Sequence, residues 1–380
     1  MRSSSPQPQL EQAGRRLSLR ELEVEARKLL DPVVYDFVAG GADDETTLRA
    51  NETAFSRIGL LPRILRGKER PELAVTLLNC RAALPVVIAP TAFHCLAHSE
   101  GERATSRAAA AAGTIMIASM ASTVAIGEVA AAVRETTGGA SPNLWFQLYI
   151  QPDYGFTEAI IRRAEAAGCA ALVVSVDSPV FGRRERDVRN GFIDLPPGMC
   201  CENLREPTNS GEPGRVRPIV FRPELSWDDI AWLRKTTTLK IVLKGVTHPE
   251  DARLAIDAGV DALMVSNHGG RQLDTVPAAV ELLPAIADAV DGSLPLLLDG
   301  GIRRGTDVVK AIALGARAVA VGRPVFWGLA LGGEGGVAQM LEILRTELER
   351  ALILCGCGSL SDVTRDLVRC QPLSETETVC

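Results

Sequence analysis

Histidine is scarce in this chain, with four in 380 residues. No apolar run is long enough to span a membrane. The first residues lack the apolar core of a signal peptide, so neither a membrane span nor secretion is expected. Basic charge is not in surplus. Lysine and arginine total 41 against 47 acidic residues, a net charge of -6, which argues against nucleic acid as the main partner. No GxGxxG follows the first apolar run, as a dinucleotide-binding sheet would need. The nine cysteines are irregularly spaced, and an odd count fits no complete disulfide framework. Cys200-Cys201 and Cys355-Gly356-Cys357 have no His/Cys partners at zinc spacing, so no metal is expected. A reducing cytoplasm is the expected setting.

What the chain does have is apolar content, 46%, ample for a large core. Four segments share one form, a helix ending in Ala-Gly or Leu-Gly followed by a buried strand. They start at Gly113, Gly168, Gly259 and Gly315. Glycine there closes the last helical turn in the left-handed conformation. The runs that follow lack in/out alternation, as in parallel strands covered on both faces. Four more runs, at 85–89, 144–149, 241–244 and 295–299, complete a set of eight. Eight strands alternating with helices predict an α/β fold, a (β/α)8 TIM barrel. A doubly wound open sheet is the competing fold.

Capping boxes are expected at Ser18/Glu21, Ser99/Glu102 and Thr247/Glu250. The first would start an N-terminal helix, and a long helical pattern over about 328–354 should pack outside the barrel. Residues 1–17 are polar and read as a mobile tail, and 18–380 as one barrel domain. The stretch 188–223, rich in Gly, Pro, Asn and charge, reads as a lid loop or as a tolerated surface insertion.

In such a barrel the active site lies at the C-terminal ends of the strands. Those ends read Pro90-Thr91-Ala92, Ser119, Gln147 with Tyr149, Ser175 with Asp177, Lys244, Ser266 to Arg271, Asp299 to Arg303, and Gly322-Arg323. The most informative is Ser266-Asn267-His268-Gly269-Gly270-Arg271-Gln272-Leu273-Asp274. A base and a cation three residues apart, on a loop of little bulk, suit deprotonation of an anionic substrate. The two glycine-arginine loops after the seventh and eighth strands suit a phosphate, through backbone N–H groups and charge-assisted bonds. Lys244 ends an apolar strand and is either salt-bridged or facing an electron-rich cofactor ring. Asp177 is either a helix cap or the carboxylate that orients His268. His98 and His248 read as structural, and His94 as a residue of the pocket wall.

Together these residues resemble the FMN-dependent 2-hydroxy acid oxidoreductases, the glycolate oxidase and lactate oxidase family. The motifs that carry the resemblance are Ala89-Pro90-Thr91-Ala92, Trp145 to Tyr149, Ser175 to Pro179 with Gly182-Arg183-Arg184, Val242 to Gly245, the His268 segment, Asp299 to Gly305, and Gly322-Arg323-Pro324. The similarity runs from about Leu19 to Leu354. It implies FMN at the barrel mouth. The phosphate would lie on Gly301, Arg303, Gly322 and Arg323, with Asp299 on the ribityl chain. The ring would lie near Pro90, Thr91, Ala92, Ser119, Gln147, Ser175, Lys244 and Ser266. It implies His268 as base with Asp177 behind it, and Arg271, Arg184 and Tyr149 on the substrate. Lys244 would offset charge on the reduced flavin. Whether the proton leaves from carbon or from the hydroxyl stays open. Oxygen or another acceptor would take the electrons, and a homo-tetramer or octamer is implied.

Two positions depart from that family. Phe37 stands where many members have tyrosine, which removes roughly one hydrogen bond to a charged group, about 1.5–3 kcal/mol. Ala121 replaces a bulky aromatic of glycolate oxidases. The expected consequence is a wide apolar pocket lined by Phe37, Phe93, Ala121 and Phe181, suited to an aryl or branched 2-hydroxy acid as in mandelate-type members. Alternatively, Met120 or a lid residue refills the space. The competing functions are an FMN barrel isomerase acting on a diphosphate and a flavin-binding protein without turnover.

Overall fold

The computed structural model describes residues 17–67, 69–141, 143–208 and 214–370. The expected tail at 1–17 lies outside them apart from Leu17. Eight parallel strands close into a barrel in sequence order. They are β1 (Val86–Ile88), β2 (Met116–Ser119), β3 (Leu144–Leu148), β4 (Ala171–Ser175), β5 (Lys240–Val246), β6 (Ala262–Val265), β7 (Leu296–Asp299) and β8 (Ala318–Val321). β8 pairs with β1 to complete the ring. Gly113, Gly168, Gly259 and Gly315 all adopt positive φ, as the helix-closing role requires.

The strands do alternate, but between two apolar surroundings. Val87, Ile117, Trp145, Val173, Val242, Met264 and Leu297 point inward and pack on one another. Their neighbours, among them Ile88, Ala118, Phe146, Val174, Leu243, Val265 and Leu298, point outward into the layer beneath the helices. The N-terminal end of the barrel is plugged by a hairpin, Val75–Leu77 with Cys80–Ala82, whose side chains join the inner cluster. Trp145 Nε1 donates to Cys80 Sγ at 3.5 Å across that floor. A second small sheet pairs Ile58–Leu60 with Val368–Cys370.

Ser18 caps the helix Leu19–Leu29, and its hydroxyl accepts from Glu21 N. The other two caps differ from expectation. The helix Gly101–Ala111 has no side-chain cap, because Glu102 turns inward to accept from His94 N and Thr123. The helix Pro249–Asp257 is capped by His248, which accepts from Glu250 N. The C-terminal helix begins earlier than its pattern suggests, at Arg323, and runs to Cys355 with a break at Gly332-Gly333. It packs outside the barrel on the helices Leu19–Leu29, Gly101–Ala111 and Gly305–Ala313. Among the described residues, no helix is long and apolar enough to cross a membrane.

The described residues of the 188–223 stretch are held by specific ties. Asn203 accepts from Ile126 N and donates to Ser119 O. Arg163 donates to the carbonyls of Asn203 and Arg205. Residues 209–213 lie outside the described residues, and Ile219 and Phe221 of the following stretch reach the barrel mouth.

Candidate active site

Side chains two residues apart on a strand share a face. Two residues beyond the inner apolar layer therefore come Ser119, Gln147, Ser175, Lys244, Ser266 and Asp299. All six are buried, so they form a polar layer on an apolar floor. Ser119 Oγ donates to Gln147 Oε1 at 3.1 Å, and Gln147 Nε2 donates to Ser175 Oγ at 3.2 Å. Lys244 Nζ donates to Ser266 Oγ at 2.9 Å and lies 3.3 Å from Asp299 Oδ2. Lys244 is thus both salt-bridged and turned to the mouth. Burial alone would lower its pKa, but Asp299 and Asp177 reverse that and raise it.

Above this layer lies one cavity. It is lined by Pro90, Thr91, Ala92, Ser119, Gln147, Ser175, Lys244, Asp299, Gly301, Arg303, Gly322 and Arg323 on one side, and by Phe37, Phe93, Ala121, Tyr149, Phe181, Arg184, His268 and Arg271 on the other. Of the sequence candidates only Asp177, Ser266 and His94 are not in the wall. Asp177 sits behind His268, with both carboxylate oxygens 3.0 Å from Nδ1. Ser266 is beneath, and its hydroxyl also accepts from His268 N at 3.0 Å. His94, expected in the wall, is fully behind it. Its Nε2 is 2.6 Å from Thr91 Oγ1 and its Nδ1 is 3.0 Å from Thr105 Oγ1.

His268 occupies the left-handed region at φ 57, unusual for a residue with a side chain. That backbone turn aims Nε2 into the cavity while Nδ1 faces Asp177. Burial pushes the His268 pKa below its ordinary value, against the pull of Asp177. The imidazole is therefore neutral at pH 7, with a lone pair available at Nε2. Burial would raise Asp177, but His268, Lys244 and hydrogen bonds hold it at about 2. Asp177 fits there because the residue after Lys244 is glycine. Gly245 has φ +106, and a Cβ on it would lie 2.5 Å from Asp177 Cβ. Tyr149 OH lies 3.4 Å from His268 Nε2. Burial, then the Asp177 charge, pushes that hydroxyl up to about 12, so it remains a donor.

Two guanidiniums frame the other wall. Arg184 is held by Asp187 at 2.7 Å through Nε. Arg271 Nη1 donates to the carbonyls of Phe37 and Gly40 at 2.8 and 3.0 Å. The Phe37 ring lies under both, 5.6 Å from the Arg184 carbon and 5.1 Å from that of Arg271. Burial, then Arg184 and Arg323, drives the Arg271 pKa well down. Such a buried group gains strongly from an anion placed beside it.

The same holds at the Gly301 and Gly322 loops. Burial, then Arg303, lowers the Arg323 pKa to about 10. Arg323 is spread over the carbonyls of Val38, Gly40 and Gly269 at the start of the C-terminal helix, where the helix dipole also favours an anion. Gly301 is at φ +80 with a virtual Cβ only 1.9 Å from Asn51 O, so no side chain can fill this cradle. Two buried polar atoms here, Asp299 Oδ1 and Arg303 Nε, have no partner among the described residues. A phosphate for the arginines and a donor for Asp299 match a phosphorylated polyol chain. The residues present fit FMN.

Some wall residues carry no sequence signal. Ile219 and Phe221 come from the long loop. Phe221 packs tilted against Phe181 at 4.2 Å and edge-on against Tyr149 at 5.0 Å, so it is the loop, not the fully buried Met120, that reaches into the space. Phe192 packs on Phe37 at 4.8 Å. Single aromatics in a stretch without periodicity cannot be told from surface residues by pattern alone.

Residues 26–370 match the FMN-dependent dehydrogenase family. The chain belongs to that family. It is 47% identical over 356 residues to an L-lactate oxidase of Nostoc sp., covering 91% of this chain and 96% of the relative. It is 44% identical over 370 residues to 2-Hydroxyacid oxidase 1 of Mus musculus, covering 95% and 98%. A solved structure of mandelate oxidase with benzoyl-formic acid superposes with a TM-score of 0.84 at 43% identity, covering 93% of this chain and 98% of that one. The family member described here is an FMN-dependent oxidoreductase on a (β/α)8 barrel.

Proposed function

We propose that the protein oxidises a 2-hydroxy acid of the L series with a bulky, aryl or branched side chain to the 2-oxo acid, with His268 as the base. The observation that carries this is the cavity in which His268 Nε2, backed by Asp177, shares a wall with Arg184, Arg271 and aromatic rings. The oxidation removes two electrons and two protons. FMN, when bound, supplies the two-electron acceptor. Arg271 and Arg184 hold the carboxylate and Tyr149 donates to the hydroxyl region. The neutral His268 takes one proton at Nε2, and the ionised Asp177 stabilises the imidazolium that results. Lys244 stands ready, in the polar layer, to offset negative charge developing at the mouth. Gly301, Arg303, Gly322, Arg323 and Asp299 hold the phosphate and its chain, and Pro90 to Ala92, Ser119, Gln147 and Ser175 bound the ring.

The names of relatives point to both small and aryl acids. The wall favours the larger. Phe37, Phe93, Phe181 and Phe221 surround the space opened at Ala121, and apolar burial contributes about 25 cal/mol per Å², which glycolate cannot use. The segment 188–223 acts as the lid, with Phe221 the residue it places over the site. The eight described cysteines are free thiols, in keeping with a cytoplasmic setting. Oxygen as acceptor and a tetrameric or octameric assembly complete the proposal, on the family resemblance.

The test compares kcat/KM for L-mandelate and glycolate in the wild type and in Ala121→Trp. The wild type should favour mandelate, and the variant should move the ratio toward glycolate. A glycolate-preferring wild type, or an unchanged ratio, would remove this wall as the determinant of specificity.

A further inference from the structure

Exposure alternates along the end of the long loop. Pro218 and Val220 are exposed, while Ile219 and Phe221 are partly buried and line the cavity. In an extended chain, neighbours point to opposite faces. Whatever holds the Val220 backbone therefore also sets the aim of the two residues beside it.

The group that holds it is the side chain of Gln151, which is 3% exposed. Its Oε1 accepts from Val220 N at 3.0 Å, and its Nε2 donates to Tyr149 O at 3.1 Å. One partner is an N–H and the other a carbonyl, so only one orientation of the carboxamide satisfies both. The Gln151 backbone is fixed in turn. Its N–H donates to Thr157 Oγ1 at 3.0 Å, on the helix Tyr154–Ala167 that Asp153 caps. Ion pairs hold the segment on either side of Val220. Arg217 meets Asp153 at 2.7 Å and Glu206 at 2.8 Å, and Arg222 meets Asp229 at 3.0 Å. The arginines hold the ends of the segment, and Gln151 holds its middle.

We propose that Gln151 is a positioning residue for substrate specificity, which pins the loop at Val220 and so presents Ile219 and Phe221 to the substrate side chain. Gln151 lies behind the cavity wall and acts through those two residues. Phe221 packs against Phe181 and Tyr149, so the surface it completes is apolar. Such a surface adds binding for a bulky side chain and none for glycolate, which has no side chain to bury. This rests on the reading that the substrate is a bulky 2-hydroxy acid.

The experiment measures kcat and KM for L-mandelate and glycolate in the FMN holoenzyme of the wild type, Gln151→Met, Phe221→Ala and the Gln151→Met/Phe221→Ala double variant. Hydrogen–deuterium exchange of residues 214–222 is followed in the wild type and Gln151→Met. Methionine keeps the length of glutamine and makes neither bond. In Gln151→Met the KM for mandelate should rise about fivefold, as for one net hydrogen bond. Its kcat for mandelate and both constants for glycolate should stay at the wild-type values. Phe221→Ala should also raise the mandelate KM, and adding Gln151→Met to it should change nothing further. The Val220 amide should be protected in the wild type and exchange about fivefold faster in Gln151→Met. A merely structural Gln151 would lower activity on both acids alike and add its effect to that of Phe221→Ala, and either result overturns the proposal. Should Gln151→Met fail to fold, Val220→Pro deletes the same N–H and leaves the Gln151 bond to Tyr149, and an unchanged mandelate KM there overturns it equally. A wild type that oxidises neither acid would instead reject the functional reading. Exchange then decides alone, and a Val220 amide that exchanges as fast in the wild type as in Gln151→Met overturns the proposal.

Discussion

Single side chains carry the chemistry here through burial as much as through charge. The proposed role of His268 as base rests on burial, which favours its neutral form, and Asp177 remains ionised because His268 and Lys244 outweigh its own burial. The pH dependence follows with a definite sign. Protonation of His268 removes the lone pair at Nε2, so kcat/KM should fall as pH drops through the His268 pKa. Because that pKa is depressed, the midpoint should lie below 6.5, the ordinary histidine value. A pH profile of kcat/KM with an acid limb well above that point would contradict the assignment. Arg271 tests the other half of the site. Lysine keeps the charge but loses the planar fork, and it cannot reach two carbonyls and a carboxylate together. Arg271→Lys should lower kcat/KM about 10–100-fold, the equivalent of one charge-assisted bond of roughly 1.5–3 kcal/mol. Steady-state kinetics of that variant at wild-type level would move carboxylate recognition to Arg184.

At the scale of the elements, strand register does the placing. Trp145 and Gln147 differ by two positions on β3 and therefore share the inner face, one in the floor and one in the polar layer. The same holds for Val242 and Lys244 on β5, and there the next residue matters as well. Gly245→Ala would force a Cβ against Asp177 and strain the backbone at positive φ, costing more than about 1 kcal/mol. We expect lower thermal stability together with a fall in turnover, because the carboxylate that orients His268 must move. Circular dichroism melting and single-turnover rates both equal to wild type would show that Asp177 has room to spare. All eight strands, their closing glycines and the polar strand ends were legible in the sequence because each leaves a local pattern. The floor hairpin was not. Its strands are three residues each, and its turn uses Leu78 and Asn79 at positive φ, a weaker signal than Asn-Gly. Glu102 matched a capping pattern yet serves His94 and Thr123, because a buried network outbids a local cap when tertiary contacts bring the partners together.

The whole molecule separates stability from function along the barrel axis. The hairpin and the inner apolar layer close one end. The polar layer, the Gly301 and Gly322 loops and the aromatic wall gather at the other. Phe37, far upstream in sequence, reaches that end beneath Arg184 and Arg271. Its place was legible only by resemblance to a family, since nothing local in Val34-Tyr35-Asp36-Phe37 points to a site. Phe221 and His94 became legible only once the chain was folded, because their partners Tyr149, Phe181 and Thr105 lie on other elements. The central claim is that this assembly oxidises an aryl 2-hydroxy acid with His268 as the base. Anaerobic mixing of the FMN holoenzyme with L-mandelate tests it most directly, with His268→Asn run in parallel. Wild-type flavin absorbance should bleach with one benzoylformate formed per FMN, while the variant, with FMN still bound, should bleach about 10²–10⁴-fold more slowly. A wild type that keeps its oxidised spectrum, or a variant that bleaches at the wild-type rate, would contradict the account.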